Sequence, residues 1–158
     1  MAESGVNMLL KGKTAVITGC NRGIGKAILE TFAENGADIW ALVRRENDEF
    51  TNLTTSLSKK HEVTITPVYV DFADVEQIKN AAKAIISAKQ QVDILVNNAG
   101  ITYNALFQMT SLEKTHEVFQ INYFAPLILT QYIVKVMVKY GGGSIVNLSS
   151  SAAIDSNP

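Results

Sequence analysis

Apolar and polar positions fall into blocks along this chain, and the blocks change period in a regular order. Thr14 to Thr18 is a short apolar run closed by a glycine, the pattern of a buried strand. Ile24, Ala27, Ile28, Phe32 and Ala33 then recur at helical spacing, and Asn35-Gly36 supplies a C-terminal cap pair. Residues 37–43 form a second continuous apolar run, suited to burial on both faces, with Trp40 placed in the core. A polar helix is expected over residues 46–60, then a β-branched strand over 62–70. Pro67 inside that strand marks an edge strand or an open N–H position. Asp74 reads as the N-cap of a helix whose buried stripe is Val75, Ile78, Ala82, Ile85 and Ile86. Residues 92–96 give a fourth strand. A long helical pattern covers residues 112–140, with Pro126 expected to kink or divide it, and Gly141-Gly142-Gly143 ends it. Residues 144–148 give a fifth strand. Residues 1–7 read as polar and loose, and a short tail, residues 152–158, follows Ser149-Ser150-Ser151.

Strands alternating with helices predict a parallel sheet covered on both faces through right-handed crossovers. The fold class is α/β, a doubly wound Rossmann-type sheet with strand order 3-2-1-4-5. The ligand crevice then lies at the carboxyl ends of strands one and four, and each unusual loop in the sequence follows a strand.

The 158 residues suit one domain, without repeats or linkers. Charged residues make up 18% and apolar residues 47%, against about 25% charged in an ordinary domain. The chain therefore either buries extra faces against a partner or lacks part of its fold. A net charge of −1 with no basic cluster argues against nucleic acid. Cys20 is the single cysteine, so no internal disulfide is possible, and its place in a glycine loop reads as a small filler. No run reads as long enough to span a membrane, and Met8-Leu9-Leu10 is too short for a signal-peptide core. The expected location is the cytoplasm, and no metal site is read.

The chemistry centres on Thr18-Gly19-Cys20-Asn21-Arg22-Gly23-Ile24-Gly25, a strand end, a glycine turn and a helix start. Free N–H groups and the positive end of the helix dipole make a phosphate the natural occupant. A glycine-rich turn without ligand is the plainer reading. The T-G-x-x-x-G-x-G spacing resembles the short-chain dehydrogenase/reductase family, which uses this loop to hold a nicotinamide dinucleotide. Asn97-Asn98-Ala99-Gly100 after the fourth strand resembles the same family's NNAG motif. That resemblance implies cofactor binding by Gly19, Asn21, Arg22, Gly23, Ile24 and Gly25, and by Asn98, Ala99 and Gly100, with Asn98 bracing neighbouring strands. It also implies an adenine contact from Asp71, with Phe72 supplying backbone contacts, although Asp71 reads equally as a plain turn residue at a strand end. Val43 stands where family members that prefer NAD carry an acidic residue, and Arg44 follows it. Arg22 and Arg44 together suit the 2′-phosphate of NADP, while Glu46 keeps NAD open as the less favoured cofactor.

Asn122 matches the family asparagine that helps hold a proton-relay water. Ser150, or a serine beside it, matches the catalytic serine that polarises a substrate carbonyl. The implied reaction is hydride transfer between NADP(H) and a small-molecule or carrier-bound carbonyl. The resemblance is nearest to the 3-oxoacyl-acyl-carrier-protein reductase branch, which serves fatty acid biosynthesis. The family's Y-x-x-x-K motif, whose tyrosine supplies the proton, is not found among these residues. The resemblance thus covers the front part of the family domain, and this stretch alone is expected to be inactive. Too many apolar residues lie between Val118 and Val138 for one helical stripe, which implies a homo-oligomer contact through that helix. A non-catalytic dinucleotide-binding module is the alternative to an enzyme.

Overall fold

The computed structural model describes residues 8–151. The sequence expectations for residues 1–7 and 152–158 lie outside them. Five parallel strands, β1 (Thr14–Thr18), β2 (Asp38–Val43), β3 (Ile65–Tyr69), β4 (Ile94–Asn97) and β5 (Ser144–Asn147), form one sheet in the order β3-β2-β1-β4-β5. The helices α1 (Gly23–Glu34), α2 (Asp48–His61), α3 (Val75–Ser87), α4 (Leu112–Phe119) and α5 (Ala125–Lys139) connect them. The expected class and strand order are both observed.

Side chains of a strand alternate between faces, so each apolar strand feeds two cores. Val16, Leu42 and Leu95 pack with Ile78 and Ile85 of α3 and with Leu129 and Ile133 of α5. Ala15, Ile17, Ile39, Ala41 and Val43 pack on the other side with Leu29 and Ala33 of α1 and with Phe50 and Leu57 of α2. Burying each of the larger side chains contributes about 1.5–3 kcal/mol. Trp40 is partly buried against the first of these cores.

The helix starts follow local chemistry. Asn47 Oδ1 accepts from the Phe50 N–H at 2.8 Å, so α2 begins at Asp48, two residues later than the sequence expectation. Asp74 caps α3 by accepting from the N–H groups of Glu76 and Gln77, as expected. β3 begins at Ile65, not at residue 62, because Glu62 closes α2 in the left-handed conformation at φ 56°. Pro67 does sit in an edge strand. The Ile39 N–H bonds to the Thr64 carbonyl and the Val70 N–H to the Val43 carbonyl. Even-numbered residues of β3 therefore face β2, and Pro67 faces outward, where a missing N–H breaks no ladder bond.

The long helix is divided, and not by a simple kink at Pro126. A π-helical segment, Gln120–Phe124, separates α4 from α5, and Pro126 occupies the first turn of α5, where a proline is tolerated. The whole helical run Leu112–Lys139 spans 28 residues and is apolar enough, by length and composition, to cross a bilayer. This corrects the expectation that no run is long enough. Here the run covers the sheet: Ala125, Leu129 and Ile133 are wholly buried against α3 and the strands. Its other side leaves Phe119, Tyr123, Phe124 and Leu127 exposed, and β5 is an open edge with all four residues exposed.

Candidate functional site

The site begins where β1 ends. Gly19 turns at φ 71°, and a Cβ there would lie 2.9 Å from the Ala99 Cα. A Cβ on Gly25 would lie 2.2 Å from the Gly19 carbonyl oxygen and 2.4 Å from Asn98 Nδ2. Both glycines are required because the loop presses against residues 98–99. Gly23 is different: it has φ 54°, and a Cβ there would meet nothing within 4 Å. It faces open space.

Arg22 stands at the N-cap of α1 without a side-chain cap bond, and the first turn holds no acidic residue. By contrast α2, α3 and α4 are capped by Asn47, Asp74 and Ser111, and each has an acidic residue in its first turn. The N-terminus of α1 thus keeps its orphan N–H groups and its positive dipole end for something external. Asn21, Arg22, Gly23 and Ile24 are all exposed around it. These features fit an anionic group such as a dinucleotide pyrophosphate, which the backbone of residues 21–25 would hold.

The loop after β4 is fastened to the loop after β1 by one hydroxyl. Thr18 Oγ1 accepts from the backbone N–H groups of Asn98 at 3.0 Å and Ala99 at 2.9 Å, and donates to the Val96 carbonyl at 3.4 Å. Asn98 Nδ2 donates back to the carbonyls of Thr18 at 2.8 Å and Gly19 at 3.1 Å. Asn98 therefore braces the two strands, as its motif implied. Asn97 makes a second clamp: its Nδ2 donates to Thr130 Oγ1 at 3.1 Å and to Asn147 Oδ1 at 2.8 Å, and its carbonyl accepts from the Leu148 N–H at 2.9 Å. This ties β4 to α5 and to the strand that leads into Ser150. Asn97 Oδ1 is buried and has no partner. Asn97 lines a cleft of about 370 Å³ together with Ala99, Asn122, Tyr123 and Leu148. A wider groove of about 580 Å³ between α2 and β3 includes none of the candidate residues.

Asn122 lies in the π-helical segment. Its Oδ1 accepts from the Ile101 N–H at 2.9 Å and its Nδ2 donates to the Ile101 carbonyl at 2.8 Å. The side chain therefore holds the β4 loop, and Gly100 passes beside it. Pro126 brings no N–H, so the Asn122 backbone carbonyl receives no α-helical bond from it. Ser150 is exposed, three residues beyond β5.

Arg44 and Asp71 meet at the ends of β2 and β3. Arg44 Nε donates to Asp71 Oδ2 at 3.0 Å, and Nη2 forms an ion pair with the same oxygen at 3.0 Å. Phe72 proves to be a core residue, and its carbonyl accepts from Gln120 Nε2 at 3.2 Å. Cys20 is wholly buried, its Sγ within 3.8 Å of the Ile17 and Leu42 carbonyls. Burial pushes its thiol up to about 12, so it is a packing residue.

The sequence reading missed the roles of Thr18 and Asn97. The available signal was a polar residue ending each of two apolar runs, Ala15-Val16-Ile17 and Ile94-Leu95-Val96. A buried polar group needs a partner: Thr18 finds its partners in the loop after β4, and the Asn97 side-chain amide donates to Thr130 of α5 and Asn147 of β5.

Comparison with known proteins gives the same picture. A family model described as short chain dehydrogenase matches residues 13–158. An uncharacterized oxidoreductase of Thermotoga maritima is 36% identical over 152 residues, which cover 95% of this chain and 58% of that protein. A 3-oxoacyl-[acyl-carrier-protein] reductase of the same organism is 37% identical over 153 residues, covering 96% and 61%. The solved L-sorbose reductase of Gluconobacter frateurii, complexed with NADPH and L-sorbose, has a TM-score of 0.87 at 35% identity, covering 94% of this chain and 56% of that one. A 7α-hydroxysteroid dehydrogenase complexed with NADH has a TM-score of 0.84 at 32% identity, covering 99% and 60%. The chain spans about three fifths of the length of such relatives.

Proposed function

This chain belongs to the short-chain dehydrogenase family, and from that premise we propose that it forms the cofactor-binding part of an NADP(H)-dependent oxidoreductase. The substrate class is a carbonyl or its alcohol, as a small molecule or on a carrier, with 3-oxoacyl-acyl-carrier-protein the nearest specific case. The observation that carries this reading is the uncapped N-terminus of α1, opening beside Gly23 onto free space. Residues 21–25 hold the pyrophosphate, and Ala99 and Gly100 offer backbone to the ribose and nicotinamide. Arg44 and Arg22 favour the 2′-phosphate of NADP(H), with NAD(H) as the weaker alternative. The bound nicotinamide supplies the hydride.

The remaining work falls to side chains. The Ser150 hydroxyl donates to the substrate oxygen as charge builds there. The Asn122 carbonyl accepts from a water on the proton path, a reading supported by the missing N–H of Pro126, while its side chain keeps the β4 loop in position. The exposed apolar face at Phe119, Tyr123, Phe124 and Leu127 supports a homo-oligomer contact through the long helix. The lone buried cysteine accords with a cytoplasmic location.

The test uses the complete protein that carries this chain. Calorimetry with NADPH and NADH, followed by NADPH oxidation assays over 3-oxoacyl thioesters, ketoses and steroid ketones, should give dinucleotide binding and turnover of one carbonyl class. Binding without turnover of any carbonyl would favour the module over the enzyme. Absence of dinucleotide binding would overturn the reading.

A further inference from the structure

The ion pair at the ends of β2 and β3 is more ordered than a surface contact needs to be. Arg44 directs Nε and Nη2 at the same oxygen, Asp71 Oδ2. The other carboxylate oxygen, Oδ1, accepts from the Ala73 N–H at 3.0 Å. The Asp71 N–H donates to Gln77 Oε1 at 2.9 Å, and Gln77 Nε2 donates to Asp74 Oδ2 at 3.0 Å. Asp71 is thus fixed by the first turn of α3 before it meets the arginine.

The Arg44 side chain is 64% exposed and that of Asp71 29%. Pairs of this kind contribute little to stability. What the contact does determine is direction. A guanidinium carries five N–H donors in one rigid plane. Nε is used on Asp71 and Nη2 is drawn to the same oxygen, which leaves the donors of Nη1 uncommitted.

We infer that Asp71 is a positioning residue for Arg44: it holds the guanidinium so that the remaining donors receive the 2′-phosphate of NADP(H). It sets cofactor preference without touching that phosphate. The inference rests on the reading above, in which Arg44 faces the 2′-phosphate. An arginine already held in place loses less freedom when its ligand arrives, and only NADP(H) benefits. An adenine contact from Asp71 acts differently, because adenine is common to both cofactors. Losing such a contact weakens NADPH and NADH alike and leaves their ratio unchanged.

The experiment measures dissociation constants for NADPH and NADH on the complete protein by calorimetry. The variants are Asp71→Ala, Asp71→Asn, Arg44→Ala and the double variant Arg44→Ala/Asp71→Ala, with folding checked by circular dichroism. Asp71→Ala should lower the NADPH over NADH preference by about three- to tenfold. Asp71→Asn, with one acceptor oxygen in place of two, should fall between Asp71→Ala and wild type, and serves if Asp71→Ala fails to fold. On the Arg44→Ala background, Asp71→Ala should leave the ratio unmoved. An unchanged or raised ratio in Asp71→Ala, or an equal effect with and without Arg44, would overturn the inference while leaving the cofactor reading intact. Equal affinity of the wild type for both cofactors would overturn the NADP reading and the inference with it.

Discussion

Thr18 and Asn98 hold each other at both ends of the peptide: the Asn98 N–H donates to the Thr18 hydroxyl, and the Asn98 side-chain amide donates to the Thr18 carbonyl. The two loops that flank the proposed cofactor crevice are thereby one unit, joined across 80 residues of sequence. Thr18→Val keeps the shape and removes the hydroxyl, leaving the N–H groups of Asn98 and Ala99 without their acceptor. The expected loss is about 2–6 kcal/mol, at about 1–3 kcal/mol for each of the two part-buried donors left unsatisfied. Thr18→Ser should stay near wild type. Urea denaturation checks this, and equal midpoints for Thr18→Val and wild type would refute it.

Gly25 and Gly23 should fail in different ways. Gly25→Ala drives a methyl into the Gly19 carbonyl and the Asn98 amide. Thermal unfolding should show severe destabilisation, or no folded protein. Gly23→Val meets no neighbour but sits at φ 54° and fills the space beside the N-terminus of α1. It should cost about 1–2 kcal/mol in backbone strain and abolish dinucleotide binding in calorimetry. Unchanged affinity in a folded Gly23→Val variant would sink the pyrophosphate assignment.

Cys20 should be unreactive in the native protein. Its thiol is pushed up to about 12 by burial, so almost no thiolate exists at pH 8. A disulfide reagent should leave Cys20 unlabelled until denaturant is added, and then label it, as peptide mapping would show. Rapid labelling of the folded protein would contradict the buried placement.

Asp93 should govern part of the acid limb of stability. Burial opposes its ionisation, but the Thr14 N–H, the Lys13 ammonium and the Gln91 amide outweigh burial and hold its carboxyl below the ordinary 3.8. A depressed carboxyl stabilises the fold above its unfolded value, and that stability is lost as pH falls through the folded value. Asp93→Asn should therefore be less stable than wild type at pH 7, with the two curves converging as pH falls through the depressed folded value. Urea midpoints measured from pH 7 to pH 2.5 test this. A constant gap across that range would show that the charge is irrelevant.

The strand and helix pattern was legible because each strand is a short apolar block and each loop carries glycine, asparagine or aspartate. What escaped was set by backbone conformation and by distant partners. Nothing local announces that Glu62 adopts the left-handed conformation and delays β3. Asn122 stands out in the sequence only as a candidate, and its engagement with Ile101 depends on a loop 21 residues away. The sequence suits Arg44 to a phosphate, and only the fold brings Asp71 against it. Phe72 was read for its backbone, while its ring belongs to the core.

A helix advances about 100° with each residue. Between Gln120 and Phe124 the bonds close over five residues in place of four, as the Ala125 N–H reaching the Gln120 carbonyl shows. The turn accommodates one residue too many, and everything before it is rotated out of phase with everything after it. The apolar side chains of α4 and α5 consequently point in different directions, which is why no single stripe accounts for them. Deleting any one residue of this segment would restore the phase, swing α4 around its axis and carry Asn122 away from Ile101. The placement of the β4 loop is thus a matter of counting: it holds only while the helix keeps its extra residue.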